Sequence, residues 1–75
     1  MAEESLGARI RRLREARGMT QDQLALACAM YDRRVDRTHV QRWERDKHIP
    51  SVPNFAALAR VLGVSMDVLF YGWVW

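Results

Sequence analysis

Side chains able to hydrogen-bond to nucleic-acid bases recur on one face of the stretch that begins at Asp36. Asp36 favours a helix start, because its carboxylate can accept from backbone N–H groups two or three residues further on. Val40 and Trp43 are three residues apart, so a helix would bury them together. The opposite face would then hold Thr38, Gln41, Arg42 and Arg45. Because arginine and glutamine match the edges of guanine and adenine, this face is predicted to read DNA bases, unless it merely faces water.

Four further helices are predicted around this one, with recognisable starts and ends. Ser5 can cap the first, which Gly18 would end in a left-handed conformation. Thr20 and Gln23 have the spacing of a capping box, and two serines can cap the last two helices. Apolar residues at helical spacing predict the core, namely Leu6, Ile10, Leu13, Leu24, Val40, Trp43, Phe55, Leu58 and Leu62. No strand-like alternation occurs, so the predicted fold class is all-α, a compact bundle of five helices.

Size and charge restrict the class of protein. The 75 residues suffice for one small domain over 1–75, with a core over about 5–71 and an apolar tail over 72–75. The formal net charge is +3 and the pI about 9.8, and eleven of the twelve basic residues are arginine. Arginine suits bidentate contacts to phosphate and guanine. A polyanionic partner is therefore indicated.

The sequence gives little support for catalysis, metal binding or membrane insertion. Cys28, the single cysteine, lies in an alanine-rich stretch and is expected to be a buried core residue. His39 and His48 have no second ligand at metal-site spacing, so no metal, cofactor or small-molecule ligand is expected. No signal peptide or run of transmembrane length is visible. We expect a non-enzymatic, cytoplasmic protein that associates with the nucleoid when bound to DNA.

Short motifs follow one another in a characteristic order from about Leu6 to Tyr71. They are Leu13-Arg14-Glu15, Thr20-Gln21-x-x-Leu24-Ala25, Val35-Asp36-Arg37-Thr38, Trp43-Glu44-Arg45, Pro50-Ser51, Leu58-Ala59-x-x-Leu62-Gly63-Val64-Ser65 and Asp67-x-Leu69. In this order they resemble the Cro/lambda-repressor type of helix-turn-helix domain, also called the XRE family. The resemblance implies that the second and third helices form the helix-turn-helix motif, with a recognition helix over about 36–45.

The resemblance also implies a function and roles for individual residues. It implies a sequence-specific, double-stranded DNA-binding transcription regulator, a small repressor or controller. Base contacts are expected from Arg37, Thr38 and Arg42, to which the outward-facing Gln41 is added. Phosphate contacts are expected from Gln21, Arg45 and Lys47 and, in the turn, from Arg33 and Arg34. Arg14 and Glu44 match a structural ion pair that commonly joins the first helix to the third.

The turn departs from the family pattern in two ways. Between Thr20 and Trp43 the chain is several residues longer than usual, with the extra residues near 30–34. Either the second helix continues by more than a turn, or a loop protrudes there with Tyr31 and two arginines. The usual turn glycine is missing as well. Asp46 also stands where a glycine is expected after the third helix, and would adopt a left-handed conformation at some energetic cost.

The C-terminal end predicts a second surface. Large apolar side chains crowd the last six residues, at Phe70, Tyr71, Trp73, Val74 and Trp75. We expect Phe70, Tyr71, Trp73 and Trp75 to form a homodimer interface, which would place two recognition helices on a palindromic operator. The tail could instead fold back onto the core. A different class of function also stays open: a helix-turn-helix-fold module that binds another protein through its basic face, inserted turn or aromatic tail.

Overall fold

The computed structural model describes residues 4–72, which form five α-helices. They are α1 (Leu6–Ala16), α2 (Gln21–Ala29), α3 (Arg37–Glu44), α4 (Val52–Leu62) and α5 (Met66–Tyr71). Residues 4–72 contain no strand, so the predicted all-α class is confirmed. None of these helices is long and apolar enough to cross a membrane. Trp73 and Trp75, both predicted for the dimer interface, lie outside the described residues.

Local capping explains where the helices begin. Each helix follows a residue whose side-chain oxygen accepts from the backbone N–H three residues on. These residues are Ser5, Thr20, Asp36, Ser51 and Ser65. Thr20 and Gln23 form the predicted capping box, in which Gln23 Oε1 accepts from the Thr20 N–H at 2.8 Å. The predicted helix starts are therefore confirmed.

One hydrophobic core joins the helices. Ile10, Leu24, Val40, Trp43, Leu58 and Leu62 are buried in it, while Leu6, Leu13 and Phe55 are partly buried against it. Cys28 is buried as predicted, and burial raises the pKa of its thiol to about 11 because a thiolate would be poorly solvated there. Val35 and Leu69 also belong to the core, which the sequence pattern did not predict.

The turn between α2 and α3 follows the second of the two predicted alternatives. Residues 30–36 form a loop instead of continuing α2. Val35 anchors this loop in the core. Asp32 orders it further, because its N–H donates to the Cys28 carbonyl at 3.1 Å and its carboxylate accepts from the Arg34 N–H at 3.0 Å. The insertion thus lengthens the turn, while α3 still packs against α1 and α2.

α1 approaches the end of α3 closely at Gly7. A Cβ atom at Gly7 would lie 2.7 Å from the Glu44 carbonyl oxygen, so no larger residue fits without a shift. The Gly7 N–H donates to Asp46 Oδ1 at 2.9 Å. Asp46 has the expected left-handed conformation, with φ 58°. Its backbone therefore turns the chain out of α3, while its carboxylate ties that turn to α1.

Candidate nucleic-acid interface

α3 presents a polar and cationic face to solvent. Val40 and Trp43 bury its inner side. On the outer side the structure brings together the predicted base contacts, with Arg37, Thr38 and Arg42 exposed and Gln41 half-buried. We call these four residues the recognition face. Arg45 and Lys47 are exposed immediately after the helix ends, so they extend the same cationic surface.

A reciprocal cap that includes a histidine fixes the start of α3. Asp36 Oδ1 accepts from the His39 N–H at 3.2 Å, and the Asp36 N–H donates to His39 Nδ1 at 3.2 Å. In a capping box the residue three positions after the cap is usually glutamate or glutamine. The sequence therefore did not indicate that His39 has this capping role. Among residues 4–72, no group of three or more metal-ligating side chains could hold an ion.

Arg14 on α1 and Glu44 at the end of α3 are in direct contact. Arg14 Nε donates to Glu44 Oε2 at 2.6 Å, and Nη2 donates to Oε1 at 3.1 Å. The side chains are 10% and 4% exposed, so this is a buried bidentate pair. The hydrogen bonds to Glu44 raise the pKa of Arg14 above its ordinary value. The end of the recognition helix is therefore fixed to α1.

Gln21 joins α2 to the same carboxylate. Its Nε2 donates to Glu44 Oε1 at 3.1 Å. Its Oε1 lies 3.5 Å from Gln41 Nε2, at the outer limit for a hydrogen bond. The Gln21 amide, predicted to contact phosphate, is thus hydrogen-bonded within the protein, and that contact stays a prediction. The first backbone N–H groups of α2 lack helical partners and stay suited to an anion.

A polar groove of about 650 Å³ opens between the ends of α1, α2 and α3. Its lining includes Arg11, Gln21 and Arg45, and also Glu15, whose carboxylate lies 3.6 Å from Arg11 Nε. Both partners of this pair are exposed, so an anion can replace the carboxylate. The N-terminus of α2 adds its partial positive charge, so the groove suits an oxyanion such as phosphate. Arg11 was not among the predicted contacts. Its spacing of three from Arg14 places it on the same side of α1 and could have indicated it.

The arginines near the lengthened turn differ in their pairing. Arg34 Nε lies 3.2 Å from Asp32 Oδ1, and this hydrogen bond is the main cause that lowers the pKa of Asp32. Arg33 is exposed on the same loop. Arg37 Nη1 lies 3.7 Å from Asp22 Oδ2, and both side chains are exposed, so a DNA group can replace this weak pair. Of the two turn arginines, Arg33 is better placed for a phosphate, because the charge of Arg34 is offset locally.

These features together define a class of protein. The capped helix α2 is followed by a turn and by α3, which exposes groups that match base edges. The N-terminus of α2 lies beside that face. This is the arrangement of a helix-turn-helix DNA-binding regulator.

A family model described as helix-turn-helix matches residues 10–69. The chain therefore belongs to the XRE type of the helix-turn-helix family. The resemblance inferred from the sequence motifs is confirmed. Among curated proteins, none matches the chain significantly.

Similar solved structures are regulators. The P22 c2 repressor in complex with synthetic operator 9T is 28% identical, with a TM-score of 0.83 over 93% of this chain and 98% of that one. The restriction–modification controller C.AhdI from Aeromonas hydrophila is 34% identical, with a TM-score of 0.76 over 87% and 91%. SinR, a master regulator for biofilm formation solved in complex with DNA, is 26% identical, with a TM-score of 0.75 over 87% and 97%. The predicted fold and the predicted class, a DNA-binding transcription regulator, are confirmed.

Proposed function

We propose that this chain is a small repressor or controller that binds a specific sequence of double-stranded DNA through α3. The recognition face would lie in the major groove, with its arginines against guanine edges. The observation that carries the proposal is the exposure of Arg37, Thr38 and Arg42 on a helix whose other side is buried. Two of the similar structures are complexes with DNA, which supports the same reading.

A second set of contacts would hold the DNA backbone. The polar groove at the start of α2 would take one phosphate, through the backbone N–H groups near Gln21 and the guanidinium of Arg11. The side-chain amide of Gln21 is engaged with Glu44, so its backbone is the better donor. Arg45 and Lys47 would contact the backbone beyond α3, and Arg33 would do so beyond the lengthened turn. These contacts supply affinity without reading sequence.

The chain would act as one domain over 1–75 and as a homodimer. It would work through binding, without catalysis. Phe70 and Tyr71 are exposed at the end of α5, and the predicted Trp73 and Trp75 follow directly in the sequence. A two-fold dimer would place two copies of α3 on the halves of a palindromic operator. Such a regulator would work in the cytoplasm, at the nucleoid when bound.

A protein-binding module remains the weaker alternative for the α3 surface. Protein interfaces are usually centred on apolar or aromatic anchors. The recognition face instead has arginine, threonine and glutamine side chains. A duplex with its repeated phosphates and base edges fits these groups better.

Selection of bound sequences from a random pool of DNA duplexes tests this function. The full chain is expected to enrich one palindromic sequence, and fluorescence anisotropy should then give tighter binding to it than to shuffled duplexes. Arg60→Ala is a suitable control, because it removes an exposed arginine from α4, away from the proposed contacts. Failure to enrich any sequence, with the fold intact, would contradict the proposal.

A further inference from the structure

Asp22, the second residue of α2, pairs with one of the two arginines of the recognition face. Its Oδ2 lies 3.7 Å from Arg37 Nη1, within ion-pair range but beyond a hydrogen bond. The Asp22 side chain is 70% exposed and that of Arg37 59%, so the pair lies at the surface that DNA would approach. Within residues 4–72, Arg42, the other arginine of this face, has no carboxylate at ion-pair distance.

Other carboxylates near the candidate interface have roles within the fold. Glu44 is buried in an ion pair, Asp36 caps α3, and Asp46 accepts from a backbone N–H of α1. The start of α2 is already capped by the side chain of Thr20. Asp22 differs from these acids, because it is largely exposed and its ion pair is with the recognition face. Its charge therefore acts on DNA recognition more than on folding.

The Arg37 guanidinium can bind a guanine without leaving this carboxylate. A guanidinium has five N–H donors in a planar fork, and Asp22 approaches Nη1 most closely. The N–H groups of Nε and Nη2 can then donate to O6 and N7 of a guanine. These acceptors carry no net charge, so the nearby carboxylate does not exclude them. A carboxylate on one side of the fork also limits the directions in which the other side can point.

A phosphate at Arg37 meets the opposite situation. It is an anion, so it would either displace the Asp22 carboxylate or lie within a few ångströms of it, where like charges repel. In both cases the gain from the new contact is offset by the lost pair or by the repulsion. Asp22 therefore lowers the affinity for arbitrary DNA more than it lowers the affinity for a site with a guanine in reach of Arg37.

We propose that Asp22 is a positioning residue for DNA specificity. It holds the Arg37 guanidinium so that its free N–H groups meet a guanine edge, and it keeps the same guanidinium from binding a phosphate. This inference rests on the proposed function and deepens it, since it assigns part of the sequence discrimination to a residue outside the recognition face.

The test compares the parent chain with Asp22→Asn, which removes the charge and keeps the size. Fluorescence anisotropy gives Kd on the selected duplex and on shuffled duplexes. The ratio of the shuffled to the selected Kd is expected to fall about threefold, the size of one exposed charge pair. The plot of log Kd against log salt concentration for shuffled duplexes should steepen by about one, because Arg37 is released to a phosphate. An unchanged ratio and an unchanged slope would overturn the proposal.

Asp67→Asn is the matched control. Asp67 is also an exposed acid at the second position of a serine- or threonine-capped helix, but it lies on α5, away from the proposed DNA contacts. The change in net charge is the same in both variants, and Asp67→Asn is expected to leave the Kd ratio unchanged. If it lowers the ratio as much as Asp22→Asn does, the effect belongs to net charge and the proposal is wrong.

A double variant tests whether Asp22 acts through Arg37. In a chain that already carries Arg37→Ala, adding Asp22→Asn is expected to leave the Kd ratio where Arg37→Ala puts it. A further fall as large as in the parent chain would show that Asp22 repels DNA independently, and would overturn the proposal. A parent chain that enriches no sequence would overturn the proposed function together with this inference. A parent chain that enriches a site, with a Kd ratio that Asp22→Asn does not change, would overturn this inference alone.

Discussion

Glu44 accepts two hydrogen bonds from Arg14 on α1, thirty residues earlier in the sequence, and one from Gln21 at the start of α2. One buried carboxylate at the end of α3 therefore joins all three helices around the candidate site. The recognition face lies on the same short helix, so its direction depends on this contact. Removal of the negative charge would leave the buried Arg14 guanidinium without its partner.

Glu44→Gln is accordingly expected to destabilise the fold by about 3 kcal/mol, because breaking one side of a buried pair leaves the other charge desolvated. In a domain of this size that corresponds to a fall in Tm of more than about 10 °C. Circular dichroism melts would measure it. Glu15→Gln is the matched control, since Glu15 pairs with Arg11 at 3.6 Å on the surface, where such pairs contribute about 0–1 kcal/mol. Equal melting of the two variants would show that the Glu44 pair is not structural.

The helix starts were predictable because capping is a local interaction. Ser5, Thr20 and Asp36 each accept from a backbone N–H three residues on, so the chain segment itself contains both partners. The conformation of the lengthened turn was not predictable in the same way. It depends on Val35 reaching the core, and Val35 lies between polar neighbours that look like an ordinary loop.

The burial of Arg9, like the conformation of the lengthened turn, could not be predicted from the sequence. Arg9 is one of four arginines in α1, and nothing local distinguishes it. It is buried because the carbonyl oxygens of Leu69 and Phe70 approach from sixty positions away. The recognition face could be inferred from periodicity, but contacts between chain ends require the packed structure.

Arg42→Ala and Lys47→Ala are expected to weaken DNA binding in different ways. Arg42 lies on the recognition face, so its loss should cost about 1–3 kcal/mol on the selected site and relax preference at one base pair. Lys47 lies beyond the helix, so its loss should weaken all duplexes alike and flatten the salt dependence. Binding isotherms on the selected and shuffled duplexes at two salt concentrations distinguish the cases. Equal losses on both duplexes for Arg42→Ala would contradict its role in base reading.

Gly7→Ala is expected to destabilise the fold although alanine favours helices by about 1 kcal/mol. The added methyl group would meet the Glu44 carbonyl oxygen and Asp46 Oδ1, each at 2.7 Å, and such overpacking costs about 1–3 kcal/mol or more. Gly18→Ala is a useful comparison, because φ there is 69° and no atom beyond the two neighbouring residues lies within 4 Å of the new Cβ. Only backbone strain of about 1–2 kcal/mol is expected at Gly18. A Gly7→Ala protein that melts above the parent would show that α1 can retreat from α3 without loss.

Cys28 should make the fold sensitive to alkaline pH. Its pKa is raised from 9.0 to about 11 by burial, so the folded protein holds the proton more tightly than the unfolded chain. The stability that the protonated thiol contributes is fully present below about pH 9 and is lost as the pH rises through about 11. Cys28→Ala should therefore reduce the loss of stability between pH 8 and alkaline conditions, as followed by denaturant unfolding. Identical pH profiles for the two proteins, or fast alkylation of the native thiol at pH 8, would contradict this.

Arg9→Met is expected to release the end of α5 while α3 stays in place. Three carbonyl oxygens, those of Glu4, Leu69 and Phe70, accept from its guanidinium. Each lost hydrogen bond is worth about 0.5–1.5 kcal/mol, and methionine keeps much of the apolar packing. Hydrogen exchange should therefore show reduced protection at the Gly72 N–H, which donates to the Val68 carbonyl at 2.8 Å.

Arg12→Met is the control for this last prediction, because Arg12 pairs with Glu4 at 2.7 Å on the surface and does not reach α5. It should leave exchange in α5 unchanged. Because the C-terminal segment leaves the fold next to Arg9, Arg9→Met should also weaken the dimer, while a monomeric fold and the amide protection of α3 persist. Protection lost evenly from all five helices would instead mean that Arg9 supports the whole domain, and that the end of α5 has no separate role in assembly.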